Sequence, residues 1–336
     1  MKKYSCTQEP IEIFGLQKDL LPNHFWRLPK EMMSKVSKGA ANWAVKPVGG
    51  RIKFRTDSSK VTITTQLNTN DVDWAIPLSG SAGADVYIGS RMNTRYAGVA
   101  APRSYAEKEG TLTFTKENFM EDITINLPRN EELKNVWIEI EKEASIEAPT
   151  PYTIKRPLVF YGSSITQGGC ASRPGNAYTA HLSRWLDADY INLGFSGSAR
   201  GEIELADYIS TLEMSVFIYD YDHNAPSVEH LADTHEPFYR YIRNAQPELP
   251  IIILSRPDFD GHPDSAAKRR QVIYNTYLNA KAAGDNCVFF IDGETLFGAD
   301  NREACTIDGC HPNDLGFMRM AKVIYPVLKK CVARLR

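Results

Sequence analysis

Leu158-Val159-Phe160-Tyr161-Gly162-Ser163-Ser164-Ile165-Thr166-Gln167-Gly168-Gly169 reads as a buried strand running out into a glycine-bounded polar turn. Four further short β-branched or aromatic runs follow, at residues 190–197, 216–222, 251–255 and 287–293. Between and after them lie helix-like stretches at 177–188, 201–213, 228–245, 266–284 and 314–335. Strand and helix alternation of this kind specifies a parallel sheet covered on both faces, so the prediction for residues 156–336 is a three-layer α/β/α domain. Ligands of such sheets bind beyond the carboxyl ends of the strands, which directs attention to the polar residues just after each run.

Upstream the period changes. From about residue 50 to 142 apolar residues alternate, as in Ile52 and Phe54, Val61, Ile63 and Leu67, Ile123, Ile125 and Leu127, and Val136, Ile138 and Ile140. Alternation in short runs broken by Gly, Asn, Asp and Pro means antiparallel strands with one buried face, and a β-sandwich or jelly roll over residues 1–150 closes them. Residues 143–157 carry three prolines and read as a semi-rigid linker.

Composition narrows the partners. The 336 residues are 43% hydrophobic and 24% charged with a net charge of −2, ordinary for a globular chain of two domains. No basic stripe or polybasic tail is present, which argues against nucleic acid and anionic membranes as partners. No run of 18 apolar residues occurs, and the first residues lack the apolar core of a secretory leader. The expectation is a cytoplasmic protein, or a secreted one if a leader has been removed. Six cysteines without a C-x-x-C pair suit reduced thiols, and the spacing of Cys305, Cys310 and His311 fits no zinc template, so neither metal nor cofactor is expected.

Four polar blocks follow the runs. Ser164 lies in the first turn, where a hydroxyl and a backbone N–H can face a ligand together. The second is Asn192-Leu193-Gly194-Phe195-Ser196-Gly197-Ser198, read as a glycine-rich turn opening a helix, with N–H groups free to hold an oxyanion. Neither the phosphate-loop pattern nor the dinucleotide spacing is present there. The third, Asp220-Tyr221-Asp222-His223-Asn224, is either a solvated loop capping a helix near Ser227 or a site for Asn224 as an oxyanion donor. The fourth, Asp308-Gly309-Cys310-His311, lets one loop supply an imidazole and the carboxylate that orients it.

These blocks in this order resemble the SGNH/GDSL hydrolases. The resemblance implies Ser164 as nucleophile, His311 as general base and Asp308 as its orienting acid, with Ser164, Gly197 and Asn224 as oxyanion donors. Ser163 stands where that family's name has Asp, a residue that braces the loop. The stretch Gly83-Ala84-Asp85-Val86-Tyr87 resembles the G-x-D-L-Y signature of an appended β-domain, with Val86 for Leu. The implied activity is that of a serine esterase acting on small acyl esters, O-acetyl groups on carbohydrates foremost, with a small molecule or an oligosaccharide ester as substrate. A thioesterase or lipase, or a non-catalytic glycan-binding protein, is the alternative. His223, His235, Glu236 and Arg256 are candidates for the substrate pocket. His235 and Glu236 have a second reading as turn residues of a helix interrupted by Pro237, and Arg256 as a brace paired with Asp258, Asp220 or Asp222.

Overall fold

The computed structural model describes residues 1–91 and 93–333. The five apolar runs form one parallel sheet, in the order Ala188–Gly194, Ile154–Gly162, Val216–Asp220, Ile251–Leu254 and Val288–Ile291. Each central strand buries both faces, which is why it reads as a continuous apolar run rather than an alternating one. Side chains nevertheless part by the strand period. Val159, Tyr161, Phe217, Tyr219, Ile251 and Ile253 enter one core, and Leu158, Phe160, Val216, Ile218, Ile252 and Leu254 enter the other. Helices Ile203–Ser210, Val228–Ala245 and Pro263–Ala282 contribute to the first, Tyr178–Leu186 and Asp314–Ala333 to the second.

The alternating half forms two antiparallel sheets facing each other. One has the order Lys2–Ser5, Leu133–Ile140, Lys60–Leu67, Glu109–Thr115. The other has the order Ile146–Glu147, Arg51–Thr56, Glu121–Asn126, Ala84–Ile88, Arg95–Ala100, with Glu12–Phe14 also pairing to Arg51–Thr56. Val61, Ile63, Val136 and Ile138 from the first sheet meet Ile52, Phe54, Ile123 and Ile125 from the second in one core. The predicted sandwich and α/β/α layers are therefore both present.

Three expectations change. The segment 143–157 is no simple spacer, since Ile146–Glu147 is a strand, Ile154–Gly162 begins within it, and Thr150 donates from N and Oγ1 to Asp122, both at 2.7 Å. Val228–Ala245 runs through Pro237 without interruption. The helix after the Gly194 turn starts only at Ile203, so Gly197 lies in a free-standing turn rather than at a helix N-terminus.

The two halves also interpenetrate. Leu28, Met32, Val36, Ala40 and Ala44, from the N-terminal side, join the hydrophobic core of the parallel sheet. Arg27, fully buried, donates to the carbonyls of Asn192 and Gly194 at 2.9 and 2.7 Å and so fixes the end of an edge strand of the other half. The GADVY stretch lies at this boundary. Its Asp85, fully buried, accepts from Arg173 at 2.6 Å and from the Gly175 N–H at 3.1 Å, and the Tyr87 hydroxyl accepts from Arg173 at 2.6 Å. A motif of the sandwich is thus a clamp on the parallel-sheet half.

Candidate active site

At the carboxyl end of Ile154–Gly162 the chain turns into the one-turn helix Ser164–Gln167. Crowding dictates the glycines around it. A Cβ on Gly162 would lie 2.1 Å from Thr166 Oγ1, and one on Gly194 would lie 2.4 Å from the Gln167 backbone nitrogen. Ser163 caps the helix by accepting from the Ile165 N–H at 3.2 Å, so a serine still provides the loop-bracing acceptor. Thr166 and Tyr178 anchor the turn from below, each donating to Asp220 Oδ2, at 2.8 and 2.9 Å. Burial pushes the Asp220 carboxyl up to about 6, against those two hydrogen bonds.

Ser164 Oγ is 2.9 Å from His311 Nε2, and His311 Nδ1 is 2.7 Å from Asp308 Oδ2. A carboxylate only accepts, so Nδ1 carries the proton and Nε2 is left to accept from the hydroxyl. The other Asp308 oxygen accepts from the backbone N–H groups of Cys310 and His311, at 2.9 and 2.7 Å. Partial burial raises the Asp308 pKa, but these hydrogen bonds outweigh it and hold the carboxyl below its usual range. The four-residue loop thereby fixes imidazole and carboxylate in one rigid unit.

The three N–H groups expected to serve as oxyanion donors have no hydrogen-bond acceptor among the described residues. The Ser164 and Gly197 backbone N–H groups make no hydrogen bond among the described residues, and Asn224 presents its amide nitrogen because its Oδ1 accepts from Ala199 N at 3.3 Å. Gly197 has φ of 65°, a left-handed conformation that suits glycine. A cavity of about 190 Å³ opens on Ser164, Ser196, Asp308 and His311. Its remaining wall is largely N-terminal: Trp43, Asp73, Trp74, Ala75, Ile76, Arg129 and Asn130.

The other predicted pocket residues lie elsewhere. His235 is fully buried, stacks on Tyr219 at 4.5 Å and bonds Thr276 at 2.8 Å, so it belongs to the helix–sheet core, and burial lowers its pKa to about 3. Glu236 pairs with Arg240 at 2.5 Å and accepts from Asn279 at 2.7 Å on the outer face of its helix. Neither lines the cavity, because side chains of Val228–Ala245 project toward the first core or the outer surface. His223 and Arg256 both engage Asp258, at 2.6 Å for His223 Nε2 and 3.0 Å for Arg256 Nε, and the Arg256 N–H donates to Asp222 at 3.1 Å. Burial opposes protonation of His223, but Asp258 overcomes it and raises the imidazole to about 10. These residues brace the loop bearing Cys310 and do not line the cavity.

Cys305 does not join Cys310 and His311. Its thiol is buried against the Phe297 carbonyl and the Arg319 guanidinium. Among the described residues the donor group that does assemble is His223, Asp258 and Cys310, within 4.8 Å of one another, and there Arg256 already neutralises the carboxylate.

Sequence reasoning missed the whole N-terminal wall. Trp74 and Arg129 sit in polar inter-strand segments, 68–77 and 128–132, where period-two analysis registers only a loop. Length was the available signal, since loops beyond a tight turn often carry function.

A parallel sheet with a serine, histidine and aspartate joined beyond its strand ends defines a class of acyl-transferring hydrolases. Residues 155–329 match the GDSL-like lipase/acylhydrolase family, and the chain belongs to it. Residues 2–146 match the GxDLY family, the N-terminus of SGNH-hydrolase-type esterases. No curated protein sequence matches the chain. Among solved structures, a candidate GDSL-like lipase from Bacteroides ovatus is 26% identical with a TM-score of 0.86, over 99% of this chain and 98% of that one. A salicylyl-acyltransferase from a tetracycline biosynthetic pathway is 18% identical, TM-score 0.78, over 98% and 97%. The acetyl xylan esterase Est2A of Butyrivibrio proteoclasticus is 13% identical, TM-score 0.62, over 99% and 98%, and shares the fold.

Proposed function

We propose that this protein is a serine esterase that removes small acyl groups, O-acetyl foremost, from carbohydrate substrates through an acyl-enzyme. The observation that carries the reading is the relay from Ser164 Oγ through His311 to Asp308, at 2.9 and 2.7 Å, opening on a cavity. In the first half-reaction Ser164 Oγ bonds to the ester carbonyl carbon as its proton passes to His311 Nε2. Asp308 stabilises the imidazolium, while the N–H groups of Ser164 and Gly197 and the Asn224 amide receive the oxyanion. The carbon–oxygen bond to the alcohol then breaks, and His311 returns the proton to that alcohol. Water repeats the sequence on the acyl-enzyme, releasing the acid and restoring Ser164.

Small acyl groups are favoured because the cavity is only about 190 Å³ and Ile76 and Trp43 close in on it. A carbohydrate is supported by Trp74, 82% exposed on the cavity wall, where an indole face suits the apolar face of a sugar ring. Structural neighbours that are carbohydrate esterases point the same way. The test is a panel of p-nitrophenyl acetate, butyrate and octanoate beside acetylated xylo-oligosaccharides. Acetate release with kcat/KM falling along the chain-length series is the expected result. No turnover of any ester would leave a glycan-binding protein, and preference for octanoate would indicate a lipase.

A further inference from the structure

Buried arginines in this protein are spoken for, with one exception among the described residues. Arg27 donates to four backbone carbonyls, and Arg269 donates to Asp222 and the Ala225 carbonyl. Arg129 is only 3% exposed, yet its Nε and Nη2 are buried without a hydrogen-bond partner, and it takes part in no ion pair. An unpartnered guanidinium in such a place costs several kcal/mol by general experience, so a fold keeps it where a ligand completes it.

Its surroundings say which ligand. Arg129 lines the Ser164 cavity and lies against the nucleophile turn: a Cβ on Gly169 would be 3.2 Å from Arg129 Nη1 and 2.8 Å from the Ser164 carbonyl oxygen. The nearby carboxylates are otherwise engaged. Asp73 accepts from the Ala75 N–H at 2.9 Å and from Asn130 at 3.3 Å, Asp308 from His311, and Glu131 from Thr69 at 2.7 Å. Burial lowers the Arg129 pKa to about 10, which still leaves it charged at neutral pH. A planar guanidinium fork with free N–H groups matches a carboxylate. With Asp73 and Asp308 also on the cavity wall, a monoanion fits better than a phosphate dianion.

We infer that Arg129, inserted by the N-terminal domain beside Ser164, is a specificity-determining residue that receives a carboxylate carried by the ester substrate. The inference deepens the esterase reading and rests on it for the position of the scissile bond. It divides the work: the parallel-sheet half breaks the ester, and the sandwich half selects esters of acidic molecules.

The test compares kcat/KM on matched esters. 4-Acetoxybenzoate against 4-acetoxybenzamide places the carboxylate on the alcohol side, and 4-nitrophenyl hemisuccinate against 4-nitrophenyl butyrate places it on the acyl side. At least one carboxylate ester should be favoured tenfold or more, as a charge-assisted pair supplies. Arg129→Met should bring that ratio to near one, and Arg129→Lys should retain part of it. If Arg129→Met fails to fold, the wild-type ratios and Arg129→Lys decide. A second readout needs no turnover: benzoate or succinate should raise the Tm of the wild type and not that of the Arg129 variants. Ratios near one with no such Tm rise overturn the inference, as does equal loss on charged and neutral esters, which would make Arg129 an oxyanion donor. Preference for 4-acetoxyphenyl phosphate over 4-acetoxybenzoate overturns the carboxylate assignment. Anion binding through Arg129 without hydrolysis of any ester, p-nitrophenyl acetate included, would instead sink the esterase reading.

Discussion

The loops at the strand ends of the parallel sheet and the loops at the edge of the sandwich face each other across one cavity, yet they are built differently. The first set is tight. Ser164 follows a strand directly, Asp308 and His311 share a four-residue turn, and the Asp308 carboxylate accepts from His311 Nδ1 and from the backbone N–H groups of Cys310 and His311. The second set is longer and leaves groups over: Arg129 has two unpaired nitrogens, and Trp74 is largely exposed. Reaction geometry must be preorganised to fractions of an ångström, whereas recognition groups reserve their hydrogen bonds for the substrate. Two halves of one site thus differ in how they hold their principal side chains: Asp308 and His311 hold each other, whereas Arg129 Nε and Nη2 are held by no hydrogen bond.

The sharpest way to break that comparison is at the two adjacent serines. Ser164→Ala should lower kcat/KM on p-nitrophenyl acetate by about 10⁴-fold or more. Ser163→Ala removes only a helix cap, about 1 kcal/mol of stability, and should keep most activity. Equal losses would mean that the turn does not divide into a reacting and a bracing residue.

Next in size is the clamp that brings the two sets of loops together. Asp85→Ala strands the partly buried Arg173, the Gly175 N–H and the Asn126 amide, and should cost about 3–5 kcal/mol as broken buried pairs do. Thermal unfolding would record it as a Tm drop on the order of 10 °C. Residues 156–336 expressed alone should be poorly soluble or inactive on p-nitrophenyl acetate, because Leu28, Met32, Val36 and Ala40 no longer cover their core. A monodisperse, fully active fragment would show that the sandwich is a tethered accessory.

Asp220 tests the foundation under the serine turn. Its folded pKa of about 6 lies above the ordinary 3.8, so the native state holds the proton more tightly than the unfolded chain. Its contribution is greatest below the ordinary value and declines as pH rises through 6. Asp220→Asn should therefore gain on the wild type in Tm as pH rises from the ordinary value of 3.8 to the folded value of about 6, at about 1.4 kcal/mol per pKa unit, and the difference should level off above that. A pH-independent difference would show that Asp220 does not titrate in that window.

A smaller effect is expected from acyl length, since Ile76 and Trp43 line the cavity. Butyryl esters should fall below acetyl esters in kcat/KM by roughly ten- to two-hundredfold, or about 1–3 kcal/mol. The smallest expected effect is none: EDTA should leave turnover unchanged. A loss that zinc restores would assign His223, Asp258 and Cys310 a metal.

Fold and reaction geometry were legible in the chain because they depend on neighbours in sequence. Periods of two and runs of buried residues gave both architectures, and the Asp308–His311 spacing places ring and carboxylate together whatever lies around them. The reading failed where helical phase and distance matter. His235 and Glu236 carry suitable chemistry, but their faces of Val228–Ala245 point into a core and out to the surface. Arg129 and Trp74 carry no local pattern, and they reach Ser164 only because Asp85, Arg27 and the apolar segment from Leu28 to Ala44 dock one half on the other. Short-range order follows from covalent geometry and hydrophobic period. The N-terminal wall of the cavity follows from side chains that meet across the fold, at separations no local rule encodes.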